Sequence, residues 1–408
     1  MTTAATDLAF FDPASVENPY PLYERLRAKS PVHRVPGTDF FLVSTWDLVQ
    51  EANARTEDFS SNMRSVMVAE PGSLVPTALE LDLGGTVEQV LATADEPAHK
   101  LHRGMVLHTM TKRIRALQDA CDLAAARFWD EHASEGRVDW VGGMAERLPL
   151  AMLSTLIGLR DEELPYLLAR AYDATEMLGG IVDSARTEVL VNAALELATY
   201  LDERFTDARK DPRDDLMGLF AEACASGDLE QGTAVMILMQ LVAAGAESTA
   251  ALMESAARLL AEDHALQDRL RGDLSLIDPF LDEALRLESP FRGHYRSVPR
   301  DTTLGGVEIP AGSFLLLLWG SANRDPSQFP HPDTLDLDRP VIRQHLAFGR
   351  GTHFCVGSHL ARMEATSALR VLLERTSRFE LDPDRPPAWI PSTVVRRHRT
   401  LGLRYSRS

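Results

Sequence analysis

Between Pro97 and Arg271 apolar residues recur at spacings of three and four, interrupted by short polar stretches around Gly136, Gly158, Pro212 and Gly227. That period puts the apolar positions on one face of successive helices, and Gly272 supplies a stop signal for the last of them. Upstream, NPYPLYERLRAKSPVHRV predicts a Pro-started helix with the stripe Tyr20, Leu22, Tyr23 and Leu26. A strand over DFFLVST (39–45) and a helix from Trp46 follow. Residues 61–94 are punctuated by Gly and Pro and carry scattered Met, Val and Leu, which fits either a surface loop or a flexible wall over a pocket. Downstream come a helix over 277–288, a strand-rich stretch YRSVPRDTTLGGVEIPAGSFLLLLW, and an irregular segment over 320–347. The last helix reads SHLARMEATSALRVLLER, and VVRRH with LGLRYS predicts a C-terminal hairpin. The class is mainly α with minor β. No repeat or low-complexity linker divides the chain, so it is read as a single domain, 1–408.

Composition narrows the function. With 408 residues and 45% hydrophobic content the chain can bury a large core. A net charge of −18 argues against a nucleic-acid binder, whose surface would be basic. The start, MTTAATDLAFFDPAS, lacks the basic and apolar parts of a secretory signal. The apolar run VMILMQLVAAGA (235–246) falls short of the ~20 residues that span a bilayer. The expectation is a soluble cytoplasmic protein with no membrane anchor. Cys121, Cys224 and Cys355 lie far apart with no CxxC, which argues against a zinc ribbon, a Cys-ligated cluster and dithiol redox chemistry.

Cys355 has an unusual setting. In HLAFGRGTHFCVG, glycines 349, 351 and 357 surround it, and the last helix begins just beyond. Glycines let the backbone turn its N–H groups toward the sulfur, and a helix N-terminus stabilises a thiolate. The helix Thr233–Leu260 breaks two local rules at once, with Gly245 and Glu247 inside an apolar stretch, followed by Ser248 and Thr249. A mid-helix glycine costs up to about 1 kcal/mol, and a buried carboxylate needs a partner. Such violations point to a functional notch beside a proton-relaying acid; the alternative is that Glu247 faces solvent. Glu283 and Arg286 form an i,i+3 pair, and His99 and Arg103 present two donors on one helical face, a carboxylate clamp or a plain surface helix. His353, Cys355 and His359 match no common zinc spacing, the glycine loop lacks the Lys-Ser/Thr of a phosphate loop, and no His is paired with Cys355 as for a nucleophile.

Together these residues resemble the cytochrome P450 superfamily, and most closely its soluble bacterial members, within them a mycobacterial-type group. The family's Phe-Gly-x-Gly-x-His-x-Cys-x-Gly loop is matched by Phe348, Gly349, Gly351, His353, Cys355 and Gly357. Its Glu-x-x-Arg is matched by Glu283 and Arg286, its mid-helix Ala-Gly-x-Asp/Glu-Thr by Ala244, Gly245 and Glu247, and its His-x-x-x-Arg by His99 and Arg103. The likeness runs nearly the whole chain in order. It implies the P450 fold, with haem b between the notched helix and the cysteine loop. Cys355 would be the axial thiolate, with Phe348 covering that side of the ring. His99, Arg103, Arg296 and His353 would hold the propionates, and Ala244 and Gly245 would admit the haem. Glu247, Ser248 and Thr249 would relay protons, while Glu283, Arg286 and Arg339 would form a buried structural triad.

The chain departs from the pattern where Ser248 replaces the usual threonine, losing the methyl group that restricts the rotamer. The resemblance implies a monooxygenase that inserts one oxygen atom of O2 into a small apolar substrate. Two electrons would come from an external ferredoxin with its NAD(P)H-dependent reductase, the protein acting as a monomer. Lys112, Arg113, Arg115, Arg343, Arg350 and Arg362 are candidates for a basic dock on the cysteine side. Met63, Val66, Met67, Met177, Leu178, Leu241 and Phe291 are expected to line an apolar pocket, with Arg292 and His294 offering polar contacts. A peroxide-driven haem-thiolate enzyme would share the loop, and a haem-binding sensor would need no turnover; retention of Glu247 and Ser248 argues against both.

Overall fold

The computed structural model describes residues 9–82, 85 and 87–408. The first eight residues, on which part of the N-terminal reading rests, lie outside them. In chain order the helices are α1 (Pro13–Glu17), α2 (Tyr20–Lys29), α3 (Trp46–Ala54), α4 (Ala98–His132), α5 (Arg147–Ile157), α6 (Leu164–Glu176), α7 (Ser184–Ala208), α8 (Leu216–Ser226), α9 (Gln231–Ala261), α10 (His264–Gly272), α11 (Ile277–Leu287), α12 (Trp319–Ala322) and α13 (Ser358–Arg375). The polar breaks end helices where the pattern placed them: Gly158 and Gly227 adopt left-handed caps after α5 and α8.

The core forms around α9, which packs against α5, α6, α7, α11 and α13. By length and apolarity α9 could cross a membrane, but it runs through this core with most of its central positions buried. α13 lies along α4 and α11, so the helix that follows the cysteine loop is fixed from two sides.

The strands are short. β1 (Val32–Arg34), β2 (Phe40–Val43), β6 (His294–Ser297) and β9 (Phe314–Leu317) form one sheet in the order β1-β2-β9-β6. Its β2 and β9 run parallel, Phe40 opposite Phe314, although some 270 residues separate them. β7 (Thr302–Leu304) and β8 (Val307–Ile309) make a separate hairpin.

Two expectations needed correction. The stretch from Ser65 to Glu80 is not a plain surface loop, because β3 (Ser65–Val68) and β4 (Thr77–Glu80) pair there as a hairpin. The C-terminal segments do not pair with each other. β12 (His398–Thr400) pairs with β11 (Ala388–Trp389), and β13 (Gly402–Arg407) lies between β10 (Thr376–Leu381) and β5 (Arg137–Asp139). Long-range partners won over local sequence proximity.

The β3–β4 hairpin is tied to the turn between α6 and α7. Ala69 N–H donates to Gly180 O at 2.8 Å, and Val182 N–H to Ala69 O at 3.2 Å. Gly180 sits at φ +76°, and Thr393 N–H donates to Gly179 O at 2.8 Å. The turn between α6 and α7 is thus latched to the hairpin on one side and the C-terminal segment on the other.

Candidate active site

The cysteine loop is shaped by Gly349 and Gly351, at φ +64° and +75°, a region costly for residues with a Cβ. Cys355 N–H closes the loop onto Phe348 O at 2.8 Å. Backbone N–H groups of Gly357 and Ser358 face the cysteine sulfur, and a side chain at Gly357 would stand 3.9 Å from Sγ. Burial pushes the thiol pKa up, while those two amides and the charge of Arg103 pull it down. Phe348 is held beside the loop by the Arg362 guanidinium, 5.1 Å over its ring.

Next to the loop lies a crowd of cationic and imidazole groups. His99 is buried, and its ring centroid is 4.0 Å from that of His353. Arg296, buried on β6, donates from Nη1 to Tyr295 O at 2.8 Å and meets His294 Nδ1 at 2.9 Å. His294 Nδ1 also lies 3.0 Å from Tyr295 O, so this one nitrogen stands between a guanidinium donor and a carbonyl acceptor. Burial, then the nearness of Arg296, lowers His294 to about 4. Burial first, then His99, Arg296, His294 and Arg103, drives His353 to about 3. Burial lowers Arg296 to about 10.

Among the described residues, only His99 in this group has an ion-pair carboxylate, Glu96 at 3.2 Å. His353 Nδ1, Asn53 Nδ2 and Trp319 Nε1 are buried without a hydrogen-bond partner. Positive groups short of anions and polar atoms short of partners fit two carboxylates of a bound group. The residues present therefore suit a haem with its propionates. Asn53 and Trp319 were missed in the sequence. Trp319 stacks on His294 at 5.8 Å, a contact no motif spacing announces.

On α9, Ala244 is exposed although Val242, Ala246 and Ala250 around it are buried. Ser248, one turn on, donates its hydroxyl to Ala244 O at 2.6 Å. The notch needs a correction. A Cβ at Gly245 would come 3.1 Å from Leu153 Cδ2, so its small size serves the packing of α9 on α5, and Ala244 presents the open face. Thr249 is buried in the helix packing.

Glu247 does not turn to solvent. It is buried, and Oε1 accepts from Arg397 Nε at 2.9 Å while Oε2 has no partner. Burial raises its pKa against the pull of Arg397. Arg397 lies 150 positions away, beyond the reach of any local signal.

Glu283, Arg286 and Arg339 meet as expected. Glu283 accepts from Arg286 at 2.5 and 2.9 Å, from Arg339 Nε at 3.1 Å and from Asp336 N–H at 2.8 Å. Arg286 also donates to the carbonyls of Asn323, Pro332 and Thr334, fixing the irregular segment that leads to the cysteine loop.

Arg292 is no pocket residue. It is buried, donating to the carbonyls of Val16 and Ser392. Of the basic candidates, Lys112 pairs with Asp214 at 3.0 Å, Arg343 with Asp278 at 2.7 Å and Arg362 with Asp282 at 2.5 Å.

A cysteine sulfur facing backbone amides at a helix start, beside a cationic cluster suited to two carboxylates, is the arrangement of a haem-thiolate protein. The Cytochrome P450 family model matches residues 184–401. Cytochrome P450 144 of Mycobacterium tuberculosis is 47% identical over 405 residues, covering 99% of this chain and 92% of that protein. Putative cytochrome P450 123 of Mycobacterium bovis is 33% identical over 371 residues, 90% of this chain and 89% of that one. The crystal structure of CYP109E1 from Bacillus megaterium in complex with testosterone superposes with a TM-score of 0.86 at 27% identity, covering 96% and 99% of the two chains. CYP108D1 from Novosphingobium aromaticivorans gives 0.84 at 29% identity over the full length of both. The chain belongs to the cytochrome P450 family, whose members bind haem b and are typically monooxygenases.

Proposed function

We propose that this protein is a monooxygenase that inserts one atom of O2 into a small apolar substrate, the whole chain serving as one domain. The observation that carries the reading is the Cys355 sulfur faced by the Gly357 and Ser358 amides, next to the unpaired donors around Arg296. Iron protoporphyrin bound through the Cys355 thiolate would supply dioxygen binding and O–O cleavage, the sulfur lending electron density to the metal.

The chain's own residues do the rest. Cys355 provides the thiolate, and its two amides hold the sulfur in place and temper its donor strength. Arg103, Arg296, His99 and His353 bind the two carboxylates of the cofactor. Ala244 leaves room on α9 for a small ligand. Ser248 carries the nearest hydroxyl proton of that face, and Glu247 holds a carboxyl behind it.

Electrons would come from a ferredoxin and its NAD(P)H-dependent reductase. Arg113, Arg115 and Arg350 have no ion-pair partner among the described residues, and they would form what remains of a basic dock on the cysteine side. A peroxide-driven enzyme or a haem sensor would have no use for a buried acid next to a hydroxyl on the open face.

The test is the spectrum of the reduced protein under carbon monoxide. A strongly red-shifted Soret band, absent in Cys355→Ser, is expected. A band at the position of a histidine-ligated haem would overturn the reading.

A further inference from the structure

Seven residues after Glu247, on the same face of α9, stands a second acid that the mechanism above leaves unused. Glu254 is fully buried; Oε2 accepts from His398 N–H at 2.7 Å and Oε1 has no partner. The Arg397 that binds Glu247 also lies 3.6 Å from Glu146 Oε1, and its guanidinium covers the Tyr172 ring at 4.3 Å. The Tyr172 hydroxyl and both ring nitrogens of His398 are buried without partners. At the outer end Glu146 reaches solvent, its side chain 21% exposed.

The groups that face Glu254 come from four elements. They are Glu247 on α9, Tyr172 on α6, Asp139 and Glu146 on β5 and the turn after it, and Arg397 and His398 on the C-terminal segment. Arg397 thus contacts Glu247 and Glu146 and acts on Glu254 only through its charge, in an enclosed space where uncompensated carboxylates are costly. One carboxyl is easily kept protonated there. Burial holds Glu254 at about 7 and raises Glu146 and Glu247 as well, while it keeps His398 neutral, at about 3.

We propose that Glu254 is a proton store for the active site, filled from solvent at Glu146 and emptied through the Arg397-bound carboxylate of Glu247. The inference rests on the oxygen-activating function above. On discharge the O–H bond of Glu254 breaks, its electron pair stays on the carboxylate, and the proton passes to Glu247. Solvent then reprotonates Glu254 by way of Glu146, and no electron moves. The Tyr172 hydroxyl, able to donate and accept, lies among the three acids; it, Glu247 Oε2 and Glu254 Oε1 are all buried without a partner, which fits water bridging them and carrying the proton between them. Glu254 acts through Glu247, so it is a supplying and positioning residue, and Arg397 orients the acid it discharges into.

The experiment is an infrared pH titration of the ferric holo-protein with 13C-labelled glutamate, which needs no substrate. Wild type should show a protonated carboxyl that titrates near pH 7 and disappears in Glu254→Gln, whose amide oxygen can still accept from His398 N–H. The second readout is peroxide released per NADPH consumed with a surrogate ferredoxin and reductase. In Glu254→Gln this ratio should rise about tenfold above neutral pH and lose its dependence on pH, less than the ~10²-fold typical of removing a direct general acid. No carboxyl titrating between about pH 5 and 9 in wild type overturns the store, and that arm stands even where the variant fails to fold. A band that persists in Glu254→Gln, or an unchanged pH profile of peroxide release, overturns the assignment to Glu254. A failure of the monooxygenase reading shows instead in the carbon monoxide spectrum and leaves the infrared titration as it is.

Discussion

Ser248 keeps its hydroxyl proton on the carbonyl of Ala244, at 2.6 Å, and must turn away from it to serve the open face of α9. Lacking a methyl group, it is not steered in that rotation as a threonine would be. Ser248→Ala should therefore release more peroxide per oxygen consumed, by roughly tenfold, equivalent to about 1.4 kcal/mol. An unchanged ratio would remove Ser248 from the relay. A second residue, Glu364, lies buried in α13 with Oε1 unpartnered, and burial holds its carboxyl well above the usual range. Above the ordinary glutamate pKa of ~4.3 the unfolded chain ionises at this position while the folded one does not, so stability falls as pH rises. Glu364→Gln should flatten that slope, and its gain in Tm over wild type should be larger at pH 8 than at pH 5. Equal gains at both would mean that Glu364 is ionised in the fold.

Among the elements, α11 carries the contact on which the cysteine loop depends. Its Glu283 and Arg286 are both fully buried, and Arg286 binds the carbonyls of three residues in the segment leading to Cys355. Removing one partner leaves the other charged and enclosed, a loss of about 3–5 kcal/mol. Glu283→Ala should unfold at far lower denaturant and retain little haem; retention of both would show that the pair is dispensable. The latch between α6 and α7 makes a different prediction. Gly180→Ala imposes a strain of about 1–2 kcal/mol at φ +76°, and its Cβ would press on Met67 O. The β3–β4 hairpin should loosen, and the on-rate of a bulky phenylimidazole, followed at the Soret band, should rise. An unaltered rate would mean that ligands enter elsewhere.

How much of this was legible follows from separation along the chain. The cysteine loop, the Glu283–Arg286 pair and His99 with Arg103 are local patterns, and each is spelled out within a few residues. The bounds of α13 could be read directly, since its apolar period starts just past Gly357. The partner of Glu247 could not be read, because Arg397 reaches it through the C-terminal fold. The i,i+7 spacing of Glu247 and Glu254 was a signal in plain view, two acids on one face of an apolar helix. The hairpin at 65–80 is masked in the sequence by turn residues that also suit a loop, and the C-terminal strands pair with partners that lie outside their own segment, which local sequence does not announce.

For the whole molecule the field is set by a net charge of −18 on which a few unpaired arginines stand out. Arg113 and Arg350 have no carboxylate at ion-pair distance among the described residues, whereas Lys112, Arg343 and Arg362 do. Steering of an acidic donor depends on such local charge and weakens with salt. Replacing both arginines by glutamine should slow reduction by ferredoxin at low ionic strength and flatten its salt dependence. Identical kinetics in the variant would place the electron entry on another face.

The strand pairings also carry a consequence for biosynthesis. β2 must find β9, β5 must find β13, and Arg396 must reach the carbonyl of Glu17 at 2.8 Å. A ribosome adding ~5–20 residues per second releases the amino-terminal strands well before their partners exist. The nascent chain therefore holds β2 open until β9 emerges some 270 residues later, and β5 open until its last residues emerge. Cofactor capture has to follow translation, and cellular yield will depend on haem supply and chaperone protection during that interval.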